Sequence, residues 1–189
     1  MNEHIYSIPF CNNCDISIGC SFNPGKGRGS RNSVMYITSH QTASDYKRGM
    51  GNGRNSKLIK EYNDSYNLEA YYTSLVKCIS RGIPTEFEIN NCIDYLKNEI
   101  LEVAPKIIVT IGDTVTSKFI DYTYFKYVVD KAHIIELNGI QTIIYPIYSV
   151  SYKNENLRNL YDKSFRNIAK MYVALINTNH FSFKLYTEP

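Results

Sequence analysis

The sequence predicts an α/β protein built around a mostly parallel β-sheet. Apolar runs of strand length alternate along the chain with segments of helical periodicity, which is the pattern of a sheet covered by helices. The run KIIVTIGDT at 106–114 is largely apolar at consecutive positions, as expected of a parallel strand buried on both faces. The length of 189 residues, with 43% hydrophobic and 21% charged residues, predicts one globular domain over 1–189.

The first half of the chain is predicted to contain two strands and a helix after an irregular start. Residues 1–33 show no sustained period and are rich in Gly, Asn and Ser, so they are expected to be loop with at most a short helix. SVMYIT at 33–38 is an apolar run of strand length, and NSKLIKEY at 55–62 is expected to open a helix. EAYYTSLV at 69–76 is rich in Tyr and β-branched residues and predicts the second strand.

A longer helix is expected to follow Thr85. Thr85 is a favourable N-cap residue, and two glutamates lie in the first turn after it. Apolar residues at intervals of three and four mark the buried face of this helix: Ile89, Ile93, Leu96 and Ile100. Pro105 ends it, because a proline disfavours helical backbone in the preceding residue. The strand at 106–114 and a short helix at 114–121 are expected next.

The last third of the chain is predicted to form a hairpin and a long helix. Asn138-Gly139 joins two apolar runs and is a strong short-range hairpin signal. Pro146 is expected to end the second run. From Asn156 apolar residues again recur at helical spacing. Residues from Asn177 onwards are polar and aromatic and receive no assignment.

Positive charge is concentrated in one segment of the sequence. The formal net charge is only +3, but eight cations lie within residues 23–60 against the single acidic residue Asp45. The cations are Lys26, Arg28, Arg31, Lys47, Arg48, Arg54, Lys57 and Lys60. The segment is also rich in glycine, and its part at 47–57 is predicted to be a basic loop that contacts phosphates. The alternative is an ordinary solvated surface loop.

Five cysteines call for an explanation other than disulfides if the protein is kept reduced. Cys11 and Cys14 form a CxxC motif, and Cys78 and Cys92 form a second, wider pair. Four thiolates in two pairs can hold a zinc ion or an iron–sulfur cluster. The alternative is that they are small core residues, since free cysteine is often buried. That alternative is preferred for Cys20.

The sequence shows no membrane or secretion signal. No apolar run approaches the about 20 residues that a membrane helix needs, and the N-terminus MNEHIYSIPF lacks a cationic start followed by an apolar stretch. We therefore expect a cytoplasmic protein. The Asn-, Ile-, Lys- and Tyr-rich composition favours an AT-rich genome, in a bacterium or a virus-infected cell.

Several of these segments together resemble a known family. YYTSLVKC, followed by EINNCIDYLKNEILEVAPKIIVTIGDT, resembles the uracil-DNA glycosylase superfamily, and most of all its iron–sulfur branch, family 4. The likeness covers residues 8–170 and includes the N-terminal CxxC motif. It implies a uracil-DNA-glycosylase-like three-layer αβα sandwich. It also implies a structural [4Fe–4S] cluster, with zinc as the alternative, on Cys11, Cys14, Cys78 and Cys92.

The catalytic motifs of the family are altered in this sequence. The family carries Gly-Glu-Ala-Pro-Gly after the first strand, and here the segment 38–42 reads TSHQT. The Asn of the family motif Thr-Asn-Val-Val-Lys-Cys is replaced by Ser74. The family motif His-Pro-Ser is replaced by Tyr145 and the two residues after it. The aromatic ring that stacks on the extruded base has no counterpart.

The resemblance nevertheless implies a role for each replacement. His40 stands where other branches of the superfamily place an Asp, so it can activate water, with Asp45 as a second candidate. Tyr145 can donate a hydrogen bond to the leaving base. The hydroxyl of Ser74 is too short to span both atoms of a uracil edge. The alternatives are a hydrogen-bonded loop His40, a Tyr145 that packs beside Pro146, and a Ser74 that caps a backbone group.

The predicted site therefore has three sets of residues besides the cysteines. The catalytic set is His40, Tyr145 and Ser39, and the substrate-binding set is Ser74, Thr38 and Asn52. The DNA-binding set is Lys47, Arg48, Arg54, Lys57 and Ser149.

Two functions follow from this reading of the sequence. The first is a DNA glycosylase that acts on a flipped-out modified or deaminated base, in single- or double-stranded DNA, with altered specificity. The second is a catalytically inactive module with the glycosylase fold that binds DNA or a protein partner. The three altered motifs place excision of uracil itself behind both.

Overall fold

A mixed β-sheet forms the centre of the structure. The computed structural model describes residues 4–6, 8, 10–16, 25–80, 82–137, 139–150 and 157–177. The strands of this part of the chain are β1 (His4–Tyr6), β2 (Gly27–Gly29), β3 (Val34–Gln41), β4 (Ala70–Ile79), β5 (Ile107–Ile111), β6 (His133–Leu137) and β7 (Ile140–Ile147). The helices are α1 (Ala43–Arg48), α2 (Arg54–Ser65), α3 (Glu86–Val103), α4 (Asp113–Thr116) and α5 (Arg158–Asn177), with a 3₁₀ turn at Phe125–Tyr127.

The sheet is parallel in its centre and antiparallel at its edges. Its strand order is β1-β2-β4-β3-β5-β7-β6. The neighbours β4, β3, β5 and β7 pair in parallel, whereas β1, β2 and β6 pair antiparallel to their neighbours. The predicted parallel sheet is therefore confirmed for the four central strands. The expectation of loop over the first 33 residues is wrong at β1 and β2, because strands of three residues show no period.

Helices cover both faces of the sheet. Along β3, Tyr36 belongs to the core under α2 and α5, and its neighbour Met35 belongs to the core under α3. Both side chains are almost fully buried. This two-sided burial explains why the central strands read as continuous apolar runs. The arrangement is the predicted three-layer αβα sandwich.

The predicted start and end of α3 are confirmed. The Thr85 hydroxyl accepts from the Glu88 backbone N–H at 3.3 Å, and the Glu88 carboxylate accepts from the Thr85 N–H at 2.7 Å. This reciprocal capping satisfies two donors at the helix start. The helix ends at Val103, and Ala104 adopts a left-handed backbone just before Pro105.

The other elements differ from prediction mainly at their limits. The predicted helix at 114–121 is the single turn α4, while α1 was not predicted. The hairpin between β6 and β7 is confirmed, with Gly139 at a φ of 79° in its turn. The expectation that Pro146 ends the second strand is wrong, because β7 continues through it to Ile147. Asn138 and residues 151–156 and 178–189 lie outside the described residues. No helix of the described part of the chain is both long and apolar enough to cross a membrane.

Candidate active site at the carboxyl ends of the parallel strands

The carboxyl ends of the parallel strands meet at one edge of the sheet. His40 lies at the end of β3 and pairs with Val76 of β4. The hydroxyl oxygen of Ser149, just beyond β7, would lie 2.5 Å from a Cβ added to Gly112, just beyond β5. A side chain at position 112 would therefore collide with Ser149. Ligand sites of parallel α/β sheets form at this edge.

His40 has the environment of a neutral imidazole. It is half-buried, and its Nδ1 lies 3.0 Å from the hydroxyl oxygen of Ser39. Burial lowers the pKa of His40 below its ordinary value of 6.5, and the charge of Glu88 partly opposes this effect. In the tautomer that carries its proton on Nδ1 and donates it to Ser39, the Nε2 lone pair is available to accept a proton. The structure thus brings together two of the three predicted catalytic residues.

Thr38 and Ser74 face each other on neighbouring strands, and both hydroxyls bind the backbone. Thr38 donates to the carbonyl oxygens of His40 at 3.2 Å and Thr73 at 3.3 Å. Ser74 is fully buried and donates to the carbonyl oxygen of Val76 at 2.9 Å. Their roles in substrate binding stay predictions. The contact that Ser74 makes is the backbone cap named as the alternative.

Tyr145 is not brought to the same place as Ser39 and His40. It lies within β7 opposite Val109, two residues before the strand ends, and is 2% exposed. Its hydroxyl donates to the Asp130 carboxylate at 2.6 Å and accepts from the Asn167 amide at 3.1 Å. Burial and Asp130 raise the pKa of Tyr145 well above its ordinary range. Its hydroxyl therefore ties β7 to α5.

The predicted DNA-binding cations surround one loop. Lys47 and Arg48 lie in the last turn of α1, and Arg54 and Lys57 lie in the first turns of α2. All four side chains are exposed. The Asn52 amide, in the loop between these helices, donates to the Arg48 carbonyl oxygen at 3.1 Å. We call the segment 47–57, which carries these four side chains on the end of α1 and the start of α2, the basic loop.

Asp45 holds the basic loop in place. Its carboxylate accepts from the backbone N–H of Gly53 at 2.8 Å and from the Thr42 hydroxyl at 2.6 Å. Asp45 is 4% exposed, and a Cβ at Gly53 would lie 2.5 Å from its carboxylate. Asp45 therefore serves as a buried structural acceptor, whereas the half-buried His40 is the candidate base that solvent can reach.

Three of the four predicted cysteine ligands, Cys11, Cys14 and Cys92, lie near one another. Cys11, Cys78 and Cys92 are buried, Cys14 is partly buried, and all four are outside disulfides. Burial raises the pKa of the Cys92 thiol, and the nearby Cys14 and Cys11 raise it further. Within the described residues, no group of three or more His, Cys, Asp or Glu side chains has the geometry to hold a metal ion. Cys20 lies outside the described residues.

A buried ion pair next to the cysteines was missed by sequence reasoning. Lys77 of β4 donates to the Glu99 carboxylate of α3, and both side chains are at most 1% exposed. Glu99 also accepts from Thr73 at 2.7 Å and from Tyr71 at 2.9 Å. A lysine within an apolar strand is the signal that could have shown it, since lysine is rarely fully buried unless paired. The pair joins the strand of Cys78 to the helix of Cys92.

An αβα sandwich with polar residues at the carboxyl edge defines a class of α/β proteins, and comparison with known proteins identifies the family. A sequence profile of the Uracil DNA glycosylase superfamily matches residues 23–175. The chain therefore belongs to this superfamily.

Two curated relatives support the resemblance to family 4, because each is named Type-4 uracil-DNA glycosylase. The one from Sulfurisphaera tokodaii is 28% identical over 129 residues, which cover 63% of this chain and 58% of the relative. The one from Archaeoglobus fulgidus is 25% identical over 186 residues, which cover 90% of this chain and 92% of the relative.

Proposed function

We propose that the chain is a DNA glycosylase that hydrolyses the N-glycosidic bond of a flipped-out modified or deaminated base. The observation that carries this proposal is His40, a half-buried imidazole with a lowered pKa beside Ser39 at the carboxyl end of β3. Membership in the superfamily and relatives with glycosylase names support the reaction class.

The reaction needs a base that activates water. Water attacks C1′ of the sugar, the C1′–N bond breaks with its electron pair leaving on the base, and His40 accepts the proton of the water. The lowered pKa keeps the imidazole in the unprotonated form that this step needs. Ser39 acts by orienting the ring through Nδ1.

The basic loop supplies the DNA contacts in this proposal. Lys47, Arg48, Arg54 and Lys57 are exposed next to the end of β3, so they can neutralise phosphates on either side of a flipped nucleotide. Ser149, beyond the end of β7 and two strands from β3, is the further candidate for a phosphate contact, and Asn52 for a substrate contact. Binding of this kind weakens with salt, because neutralising phosphates releases counterions.

The specificity is proposed to differ from that of uracil excision. A side-chain amide offers a donor and an acceptor to a pyrimidine edge, whereas Ser74 has one hydroxyl. That hydroxyl is buried and bound to Val76. A different base, recognised by other groups, is the consistent reading.

The cysteines are proposed to hold a [4Fe–4S] cluster, with zinc as the alternative, on the chemistry of the donor set and not on its geometry, because no group of the described side chains is arranged to hold a metal ion. Four thiols form a donor set of the right chemistry, and Cys11 and Cys14 lie close enough to Cys92 for their charges to interact. The group would link the N-terminal segment to β4 and α3. Its role here is structural, and the proposed hydrolysis depends on protein side chains alone.

The proposal is tested by base release from a panel of oligonucleotides. Single- and double-stranded DNA carrying uracil, hydroxymethyluracil or hypoxanthine is incubated with the protein, and alkali-labile abasic sites are scored. We expect release from at least one substrate, and its loss in His40→Gln. His133→Gln is the matched control, because His133 is also half-buried but lies on the edge strand β6 and contacts the Val128 carbonyl. Equal loss in both variants, or no release from any substrate, would refute the proposal.

The second candidate function is a binding module without catalysis. It is favoured by one observation, that the hydroxyls of Ser74 and Tyr145 are both engaged inside the protein. This function predicts salt-dependent DNA binding without base release. If the protein binds no DNA at low salt, a protein partner becomes the better hypothesis.

A further inference from the structure

Two tyrosine rings are exposed side by side on a turn between α4 and β6. Among the tyrosines that the structure describes, only Tyr124 and Tyr127 are mostly exposed, each at 59%. They lie three residues apart at the 3₁₀ turn Phe125–Tyr127, with the exposed Lys126 between them. We call Tyr124, Lys126 and Tyr127 the aromatic turn. A single exposed apolar side chain needs no explanation, but neighbouring ones form a surface that a partner can cover.

The three side chains of the aromatic turn contact one another. The ring centroids of Tyr124 and Tyr127 lie 5.8 Å apart, with the ring planes at 82°. Nζ of Lys126 lies 5.6 Å from the centroid of the first ring and 5.1 Å from that of the second. An ammonium group at such distances is attracted by the ring faces. The turn therefore presents two rings and one positive charge as a single surface.

The backbone beneath this surface is fixed to the sheet. Phe125 packs edge-to-face on Tyr148, just beyond β7, with the ring centroids 5.6 Å apart. The carbonyl oxygen of Val128 lies 2.9 Å from Nε2 of His133 on β6. A binding surface that is already ordered loses less conformational entropy when it binds. The outer rings are thus accessible on a support that is held in place.

The aromatic turn lies at the same edge of the sheet as His40. It packs beside Tyr148 at the end of β7, and β7 lies two strands from β3. Strands are about 4.8 Å apart, so the ends of β3 and β7 are separated by about 10 Å. This separation corresponds to about three nucleotides along a DNA strand. A strand bound next to His40 can therefore continue to the aromatic turn.

The chemistry of the surface favours nucleic-acid bases as its ligand. Every base has a flat face that stacks on an aromatic ring, and a cation beside the ring can bind the phosphate. A protein partner fits less well, because lysine is depleted in the cores of protein interfaces. The aromatic turn also contains no aliphatic side chain.

We propose that the aromatic turn is a stacking surface for the bases of single-stranded DNA, with Lys126 contacting a phosphate. The inference rests on the proposed function for the presence of DNA. It adds a contact surface that is separate from the predicted DNA-binding residues. It also favours a single-stranded over a double-stranded substrate, because paired bases already stack on one another and leave no free face.

The test compares single strands with and without bases. One labelled oligonucleotide is oligo(dT), and the other has the same length but consists of tetrahydrofuran abasic residues. Affinities are measured by fluorescence anisotropy. We expect the wild-type protein to bind oligo(dT) at least about fivefold more tightly than the abasic strand. Tyr124→Leu/Tyr127→Leu should abolish this preference and leave binding of the abasic strand unchanged.

Two further variants distinguish stacking from other effects. Tyr124→Phe/Tyr127→Phe keeps both rings, so it should keep the wild-type preference. Tyr66→Leu is the matched control, because Tyr66 is a partly exposed tyrosine at the end of α2, where its hydroxyl donates to Asp162 at 3.0 Å. It should bind both strands as the wild type does.

The phosphate contact has its own measurement. Lys126→Gln should reduce the slope of log affinity for oligo(dT) against log salt by about one, because one phosphate contact is removed. An unchanged slope would exclude this contact. All affinities are measured below the unfolding temperature of each variant, and exposed side chains of this kind tolerate substitution.

The outcomes separate this inference from the proposed function. If the wild-type protein binds both strands equally, or if the leucine variant keeps the preference, the stacking surface is refuted. Loss of the preference in the phenylalanine variant would show that the hydroxyls make the contact, and would also overturn it. If the protein binds neither strand but releases a base from duplex DNA, only the stacking surface fails. If it binds neither strand and releases no base, the proposed function fails as well.

Discussion

The neighbouring strands β3 and β4 differ in whether the buried polar side chains near their carboxyl ends have hydrogen-bond partners. On β4, Thr73 and Lys77 bind the Glu99 carboxylate, and Ser74 binds a backbone carbonyl. At the end of β3, Gln41 is equally buried, yet its Oε1 lacks a partner in the described part of the chain. His40, next to it, has a lowered pKa.

This difference separates structural from functional polar groups. A buried polar group with all its partners stabilises the fold, whereas one with unused hydrogen-bonding capacity costs stability and is retained for another reason. We therefore assign β4 to holding the sheet against α3, and the end of β3 to the chemistry of the site. Changes on β4 should affect stability, and changes at the end of β3 should affect function.

The largest expected effect is on the β4 side. Glu99→Gln leaves Lys77 buried without a counter-charge, so the free energy of unfolding should fall by about 3–5 kcal/mol. Denaturant unfolding measures it. Glu102→Gln is the matched control on the same helix, because Glu102 forms an exposed pair with Arg31 at 3.2 Å. That change should cost less than about 1 kcal/mol.

The double variant Lys77→Met/Glu99→Met sharpens this prediction. It removes both charges, so it should recover most of the stability lost in Glu99→Gln. A single variant as stable as the wild type would show that the pair does not hold β4 to α3.

A smaller effect is expected for Ser74. Ser74→Ala removes one buried hydrogen bond, so stability should fall by about 1 kcal/mol and the base preference in the oligonucleotide panel should not change. Ser65→Ala is the control, since Ser65 is exposed and donates to the Glu61 carbonyl oxygen at 2.8 Å. A changed base preference in Ser74→Ala would instead establish Ser74 as a substrate contact and break the comparison.

A still smaller effect on stability is expected from the titration of His40. Its pKa is lower in the folded protein than the ordinary value of 6.5, so the unfolded chain takes up this proton first as the pH falls. Stability should therefore decrease below about pH 6.5, and His40→Gln should remove that part of the loss. Unfolding measured at several pH values tests this.

Activity should follow the same group. Base release should rise with pH through the lowered pKa of His40, because the unprotonated imidazole is the proposed base. His133→Gln should keep the wild-type pH dependence of both stability and release. A His40→Gln profile identical to that of the wild type would contradict the assignment.

The smallest effect on stability is expected in the basic loop. Lys57 is exposed, and its Nζ lies 3.9 Å from Oε1 of the equally exposed Glu61, which makes a weak ion pair. Lys57→Ala should therefore change the free energy of unfolding by less than about 0.5 kcal/mol. It should reduce the slope of log affinity for DNA against log salt by about one. Lys97→Ala, which alters an exposed pair with Asp94 on α3, should leave the slope unchanged. Equal slopes for Lys57→Ala and the wild type would exclude this phosphate contact.

The central elements could be predicted because their signals are local. The start of α3 depends on Thr85 and Glu88, three residues apart, and both groups are in the sequence pattern. The central strands are buried on both faces, so they read as apolar runs. β2 consists of Gly-Arg-Gly and exists through its pairing with β1 and β4, a long-range interaction that leaves no mark on the sequence around it.

The candidate site was predictable in part. His40 and Ser39 follow an apolar run, so their place at a strand end could be expected from the sequence. Tyr145 could not be placed in this way, because β7 continues to Ile147 and the face on which a side chain lies depends on the exact register. The sequence could not show that the Oε1 of Gln41 lacks a hydrogen-bond partner among the described residues, because this depends on which distant segments pack around it.

By itself, the sequence determined the α/β class, the central parallel strands, the long helix after Thr85 and the resemblance to the glycosylase superfamily. These follow from periodicity, caps and motifs, which are interactions between residues close in the chain. Only the tertiary structure decided which polar groups are satisfied. Lys77 meets Glu99, and Tyr145 meets Asp130 and Asn167, while the buried Oε1 of Gln41 meets no donor among the described residues. Burial and hydrogen bonding between distant segments set these outcomes, because the cost of a buried polar group depends on its neighbours in space.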